Sequence, residues 1–445
     1  MLRNLKDYGQ PLSFRQWEKF TSNTYEMAMS DLVMTASTTL NLPLHSMYKN
    51  SRGLLQWQRA GIWIQSLLEV LWMSFWVSWP FIRNYSWTAQ VFLTLHMMVL
   101  SMKSHSYAFY NGHLATTLTR LHDLDDASST SNKAPVVKYP TARMVQSHSQ
   151  GTPKHDKETE KEHADSVARL REDLAFELVS PLGHVTYPQN LTLANYLDYL
   201  CCPTLCYEIE YPRTETRSYF EIFIKTLAVF GCVFLLVIIS DEFIIPTLDE
   251  SAARLQAPDM CWQDGALIFA ETVSRLLFPF MITFLLVFLV IFEYLCGAFA
   301  EITRFADRQF YSDWWNSSDW LEFSREWNMP VHHFIRRHVY SASRGRMSRP
   351  IATVITFVIS ALAHELIMGC ITRKFRGYGF VAMMLQGPIV LVQRNRWVRG
   401  KHLLNNVLFW FSMILGLSLV SRQLYMLCPD MRLTDLQMCA LYVLV

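Results

Sequence analysis

The sequence predicts an all-α, polytopic integral membrane protein of about eight or nine transmembrane helices around a central chamber. Hydrophobic residues make up 51% of its 445 positions and charged residues only 18%. That excess falls in runs close to the roughly 20 apolar residues one crossing needs. A few ionisable and amide side chains nevertheless interrupt the apolar segments, which is where a chamber would be lined.

The first 60 residues are mixed and polar, and read as an N-terminal cytosolic arm with short helices. "MLRNLKDYGQPLSFRQWEKF" holds no uninterrupted apolar core, so a cleaved signal peptide is not expected and insertion rests on internal helices. Residues 61–121 carry the first transmembrane helices, at about 62–82 and 85–102 around an "RNYS" turn. "MKSHSYAFYNG" (102–112) follows, and its polar and aromatic mixture suits a protein-facing helix.

Residues 122–165 turn to Ser, Thr, Asp, Lys, Pro and Gly, a disordered polar insert with too little apolar area to order itself. The main membrane bundle occupies 166–445. It opens with Val167, Leu170, Leu174 and Leu178 at helical spacing, an amphipathic helix lying on the membrane or on the protein. Spans are expected at about 222–247, 267–296, 351–371, 379–393 and 405–427, with a last apolar stretch at the C-terminus. The loop "DESAARLQAPDMCWQDG" is acidic, whereas 325–349 is rich in arginine. The positive-inside rule puts the first in the lumen and the second in the cytosol.

A net charge of +2 without a basic stripe argues against nucleic acid as a partner. The nine cysteines form no C-x-x-C pair and have no His at zinc spacing, so no metal is expected. Cys428 and Cys439 flank a polar loop, and a disulfide is open to them if that loop faces an oxidising lumen.

His364 is the sharpest single feature. It stands in "PIATVITFVISALAHELIMGCI", roughly 20 Å along an apolar helix and near mid-bilayer, with Glu365 beside it. Ionisable groups at that depth are functional candidates; the alternative is a structural histidine bonded to a neighbouring helix. Met368 excludes both a zinc-protease H-E-x-x-H and an H-x-x-x-D motif. "HDLDD" (122–126) does match H-x-x-x-D, but falls within the insert. Hydrocarbon disfavours the imidazolium, so a neutral ring is expected, able to accept a proton from a lipid hydroxyl.

"FYSDWWNSSDWLEFSREWNMPVHHF" (310–334) interleaves eight aromatic residues with Asp313, Asn316, Asp319, Glu322, Glu326 and Asn328. An interfacial aromatic belt explains the rings but not the acids on the same turns. A re-entrant or interfacial element walling a chamber explains both.

These segments resemble a known family, the membrane-bound O-acyltransferases, and within it the sterol O-acyltransferase branch of fungal type. "FYSDWWN" is similar to that branch's signature, "REWNMPVHHFIRRHVY" (325–340) to the segment carrying the family's Asn, and "SALAHEL" (360–366) to the segment of its His. "MKSHSYAFYNG" and "PTLCYEIEYPRT" (203–214) resemble two further blocks. The likeness runs in order over roughly 95–120 and 180–430.

The resemblance implies a bundle around a central catalytic chamber, with acyl-CoA entering from the cytosol and the acceptor from the bilayer. His364 is then the catalytic base and Asn328 its partner. Phe310, Tyr311, Asp313, Trp314, Trp315, Asn316 and His332 are substrate-binding. No cofactor is implied beyond acyl-CoA as co-substrate. The arginines at 336, 337, 344 and 346 either meet CoA phosphates or simply set topology. A homodimer or higher homo-oligomer in the endoplasmic reticulum membrane is implied too. The function expected is acyl transfer to a sterol 3-hydroxyl, giving steryl ester and CoA.

Two alternatives stand beside it. "YPQNLT" and "PTLCYE" are equally similar to the diacylglycerol acyltransferase branch, which would make triacylglycerol. A lipid or proton-coupled transporter relaying protons through His364 and Glu365 is the non-enzymatic reading. Of the three N-x-S/T sequons, Asn84, Asn190 and Asn316, none is expected to be glycosylated.

Overall fold

A computed structural model describes residues 23–51, 53–125, 160–255, 261–393 and 401–413. The expected insert lies outside them from 126 to 159. So do residues 1–22, the last expected span beyond 413 and the Cys428–Cys439 loop. The described residues are almost entirely helical and include no named strand, only two isolated β-bridges.

The N-terminal segment forms α1 (Thr24–Ser37) and α2 (Asn41–Asn50), and it does not hang free. Asn41, His45 and Tyr48 of α2 are buried against the bundle. A π-turn, Trp57–Gly61, leads into α3 (Ile62–Ile82), which turns at Asn84 (φ 50°) into α4 (Trp87–Asp125). The second expected span and "MKSHSYAFYNG" are thus one helix of 39 residues. It takes in His122 to Asp125 as well, so most of "HDLDD" ends α4 rather than lying in an insert. Leu93, Met97, Leu100, Ser104, Tyr107, Asn111 and Leu114 are all buried along it. Their alternating steps of four and three make one continuous inward seam.

α5 (Glu160–Glu177) lies on α4 rather than on a membrane: Leu174 is buried, and Glu177 bonds His113 Nε2 at 2.9 Å. The short α6 (Leu193–Cys201) is capped by Thr192, whose hydroxyl accepts from Asn195 N. Its C-terminal carbonyls converge on Lys103 of α4. The buried ammonium donates to the carbonyls of Tyr199 (3.0 Å), Leu200 (3.1 Å) and Cys202 (2.7 Å). A lysine here meets the negative end of the helix dipole and satisfies orphan carbonyls in one stroke. Tyr107, Tyr196, Tyr199, Tyr207 and Tyr211 pack around it. The two blocks "MKSHSYAFYNG" and "PTLCYEIEYPRT" therefore meet, as a polar-aromatic core. Asn190 is buried in the same core, donating to Asn111 Oδ1 and Tyr207 Oη, which removes it from reach of glycosylation.

α7 (Tyr219–Ile239) is N-capped by Ser218, whose hydroxyl accepts from Glu221 N, while Ser218 N donates to Glu301 Oε2. It continues through a π-turn into α8 (Ile245–Leu255), so the first half of the expected acidic loop is helical. α9 (Trp262–Phe288) returns alongside it, and Glu250, Arg254, Glu271 and Arg275 lace the two together. After the π-turn Leu289–Leu295 comes α10 (Cys296–Thr303). The chain then passes through an aromatic loop to α11 (Trp320–Glu326) and α12 (Met329–Phe334). α13 (Arg349–Thr372) and α14 (Tyr378–Gln393) form the last complete hairpin, with α15 (402–413) packed over the loop.

Four stretches among the described residues are long and apolar enough to cross a membrane: Trp57–Ile82, Tyr219–Leu255, Gln263–Thr303 and Arg349–Cys370. Gly379–Gln393 is a shorter apolar helix. All five coincide with expected spans.

Candidate active site

Two helical walls face each other across a cavity of about 560 Å³, within the usual size of a small-molecule site. One wall is α12 and its continuation, a π-turn over Ile335–Ser341. It contributes Asn328, Val331, His332, Ile335, Arg336 and Tyr340. The other is a stripe of α13, Thr353, Thr356, Phe357, Ser360 and His364, at the three- and four-residue steps of one helix face. Met383 and Gln386 of α14 line it too, with Leu321, Phe323, Arg325 and Trp327 from α11 and its end.

His364 lies one turn after Ser360, and its Nδ1 is 2.7 Å from the Ser360 carbonyl. A carbonyl only accepts, so Nδ1 carries the hydrogen and Nε2 keeps its lone pair. The ring is thereby set in the tautomer a general base requires.

Glu365, adjacent in sequence, serves a different purpose. Its Oε1 accepts from Arg376 N (3.1 Å) and Gly377 N (2.6 Å), and its Oε2 from Phe380 N (3.2 Å). It thus gathers the free N–H groups at the start of α14, where a carboxylate is favoured. Gly377 has φ 78°, which only glycine adopts without strain, and a Cβ on Gly379 would press on the carboxylate at 3.2 Å. Glu365 closes the α13–α14 hairpin and so holds Met383 and Gln386 opposite His364.

Asn328 is the N-cap of α12, its Oδ1 accepting from Val331 N at 3.2 Å, with Pro330 in the first turn. Its Nδ2 has no protein partner among the described residues and can donate to a bound group. His332 stands one turn on, half-buried at the same cavity. Burial, then the charges of His333, Arg325 and Arg336, push its pKa down to about 4, so it is neutral at pH 7. Arg325 and Arg336 are exposed at the rim and form no ion pair among the described residues. Arg337 is not at this rim: it is buried and paired with Glu208 at 2.6 Å.

Of the aromatic stretch, Phe310, Tyr311, Asp313, Trp314, Trp315 and Asn316 do not line this cavity; they stand behind its Phe323–Trp327 side. Trp314 is 1% exposed and packs on Phe284, Phe288, Phe323 and Trp327, with ring centroids 4.7–6.0 Å apart. Tyr311 donates to Glu293 Oε2 at 3.0 Å, and Lys225 bonds the other oxygen at 3.0 Å. Asp313, Trp315 and Asn316 are exposed; α15 grips the loop through Trp410 Nε1 to the Trp315 carbonyl and Asn406 Nδ2 to the Ser317 carbonyl. The acids have local partners. Asp319 caps α11 by accepting from Glu322 N, and Glu322 accepts from Ser318 N and Oγ. Glu326 accepts from the Ser317 hydroxyl.

One largely apolar cavity is thus lined by an imidazole whose Nε2 keeps its lone pair and by an amide that can donate. The family model described as "MBOAT, membrane-bound O-acyltransferase family" matches residues 67–426. The chain belongs to the membrane-bound O-acyltransferase family.

It is therefore an enzyme of the acyltransferase class. The chain is 38% identical over 422 residues to "Probable sterol O-acyltransferase 2" of Schizosaccharomyces pombe, covering 94% of this chain and 82% of that protein. It is 31% identical to "Sterol O-acyltransferase 2" of Candida albicans, over 91% of this chain and 69% of that one. "Diacylglycerol O-acyltransferase 1" of Dictyostelium discoideum is 31% identical over 57% of this chain and 40% of that one. Sequence reasoning missed several cavity residues of this membrane-bound O-acyltransferase. The stripe Thr353, Thr356, Ser360 was legible at helical spacing from His364, whereas Gln386 and Arg325 gave no signal of their own.

Proposed function

We propose that this acyltransferase moves a long-chain fatty acyl group from acyl-CoA to the 3-hydroxyl of a sterol, giving steryl ester and CoA. The observation that carries the chemistry is that His364, its Nδ1 committed to Ser360, and Asn328 line one cavity. His364 Nε2 takes the hydroxyl proton as the oxygen attacks the thioester carbonyl. Asn328 Nδ2 donates to the oxyanion that develops. The C–S bond then breaks, and the thiolate recovers the proton from the imidazolium, so the enzyme ends as it began. Arg325 and Arg336 at the rim are suited to the CoA phosphates.

The sterol is supported by the sterol O-acyltransferases that align along nine-tenths of the chain, against barely more than half for the diacylglycerol O-acyltransferase. The family resemblance further supports a homodimer or higher homo-oligomer in the endoplasmic reticulum membrane. Membranes from cells stripped of their own acyltransferases, fed labelled acyl-CoA, test the acceptor. Labelled steryl ester is expected; triacylglycerol alone would overturn the choice.

A further inference from the structure

The cavity wall from Asn328 to Tyr340 does not keep one helical pitch. In an uninterrupted α-helix, at about 100° per residue, Arg336 and Tyr340 would stand roughly 80° and 120° round from Asn328. The π-turn over Ile335–Ser341, at roughly 4.4 residues per turn, brings both back to within about 45° of it. Asn328, His332, Arg336 and Tyr340 thereby form one straight row, and all four line the cavity.

The other side of the π-turn is bolted to the bundle. Arg337 Nη1 donates to Glu208 Oε1 at 2.6 Å and to the Tyr207 carbonyl at 3.3 Å, and its guanidinium lies 4.9 Å from the Tyr110 ring centre. His338 Nε2 meets Ser106 Oγ at 2.9 Å, and Ser106 Oγ also accepts from Tyr207 N at 2.8 Å. Both partners come from the two blocks that build the tyrosine core. Arg337 is buried, Glu208 is partly buried, and neither lines the cavity.

We propose that the Arg337–Glu208 pair is a positioning device: it holds the π-turn in place and so sets Arg336 and Tyr340 in the part of the cavity that takes acyl-CoA. This rests on the acyl-CoA reading above. A buried pair broken on one side leaves a stranded charge, whereas replacing both partners with apolar residues leaves none. The test therefore includes R337M, E208Q and the double variant R337M/E208M, each purified in detergent.

If Arg337 acts through Arg336, R337M raises the KM for acyl-CoA about tenfold or more, leaves kcat within about threefold, and leaves the KM for the acceptor unmoved. The double variant folds and shows the same KM shift. In an R336A background, R337M adds nothing further. A purely structural pair would lower the yield and Tm of the enzyme with its acyl-CoA KM unchanged, and that result overturns the proposal, as does additivity with R336A. Acyl-CoA-dependent thermal shift reads the same affinity without turnover. A wild-type enzyme that acyl-CoA neither stabilises nor serves as donor overturns the acyl-CoA reading and this proposal together.

Discussion

The imidazole of His364 is held by the carbonyl of Ser360, one helical turn before it, at 2.7 Å. The bond uses the Nδ1 hydrogen and leaves Nε2 as the ring's basic nitrogen. His364→Ala should lower acyl transfer by about 10²–10⁴ while the protein still elutes as the folded species. Turnover of purified protein, set beside size-exclusion profiles, checks this. A folded H364A with full turnover removes the base assignment.

Asn328 has two duties, and substitution can separate them. Asn328→Asp keeps an oxygen for Val331 N but has no amide donor, so Tm should hold while turnover falls by about 10²–10³. Asn328→Ala should lose the same activity and about 1 kcal/mol of stability besides, through the missing cap. Equal activity in wild type and N328D would count against the donor role.

Glu365→Ala strips three backbone N–H groups of their acceptor at the start of α14. Destabilisation of about 1–3 kcal/mol is expected. Hydrogen exchange should rise first at residues 376–380. A transporter-like proton role would instead leave exchange there unaltered.

His332 is neutral in the folded protein because its pKa falls from 6.5 to about 4 on burial. Above pH 6.5 it is neutral folded and unfolded alike, and stability is at its full value. As pH drops from about 6.5 to about 4 the unfolded chain takes up the proton and the folded one does not, so stability falls across that window. Melting curves from pH 7.5 to 4 should show the loss, and H332Q should lessen it, with His45 and His338, whose pKa values burial also lowers, accounting for the remainder.

Gly112 admits the Trp57 ring: an added Cβ would sit 2.1 Å from it. Gly112→Ala should cost about 1–3 kcal/mol by overpacking, visible as a lower Tm with substrate KM values unchanged.

His364 and Glu365 stand out in the sequence directly, because titratable groups deep in an apolar run have few structural excuses. Asn328 and His332 are singled out by the resemblance of 325–340 to the family's Asn-bearing segment rather than by spacing. What the sequence hid was division of labour among neighbours. Glu365 beside His364 ties a helix end, and Arg337 beside Arg336 is buried while its neighbour lines the rim. Adjacent residues on a helix face different surroundings, and a π-turn alters which of them do. The acids of 310–334 are expected to hydrogen-bond both the backbone of a chamber wall and a ligand; Asp319 and Glu322 bond backbone, at the start of a short helix, a role set by backbone conformation rather than by residue type. α4 was divided in two because its polar middle breaks the hydropathy signal, although its inward seam is unbroken.

The cradle around Lys103 ties biosynthesis together. Its acceptor carbonyls, from Tyr199 to Cys202, leave the ribosome 96 to 99 residues after the lysine itself. An unpaired cation is costly in lipid. The cradle can close only once the tyrosine segment has been made, so the polar partner of a residue in the first quarter of the chain is supplied by the second.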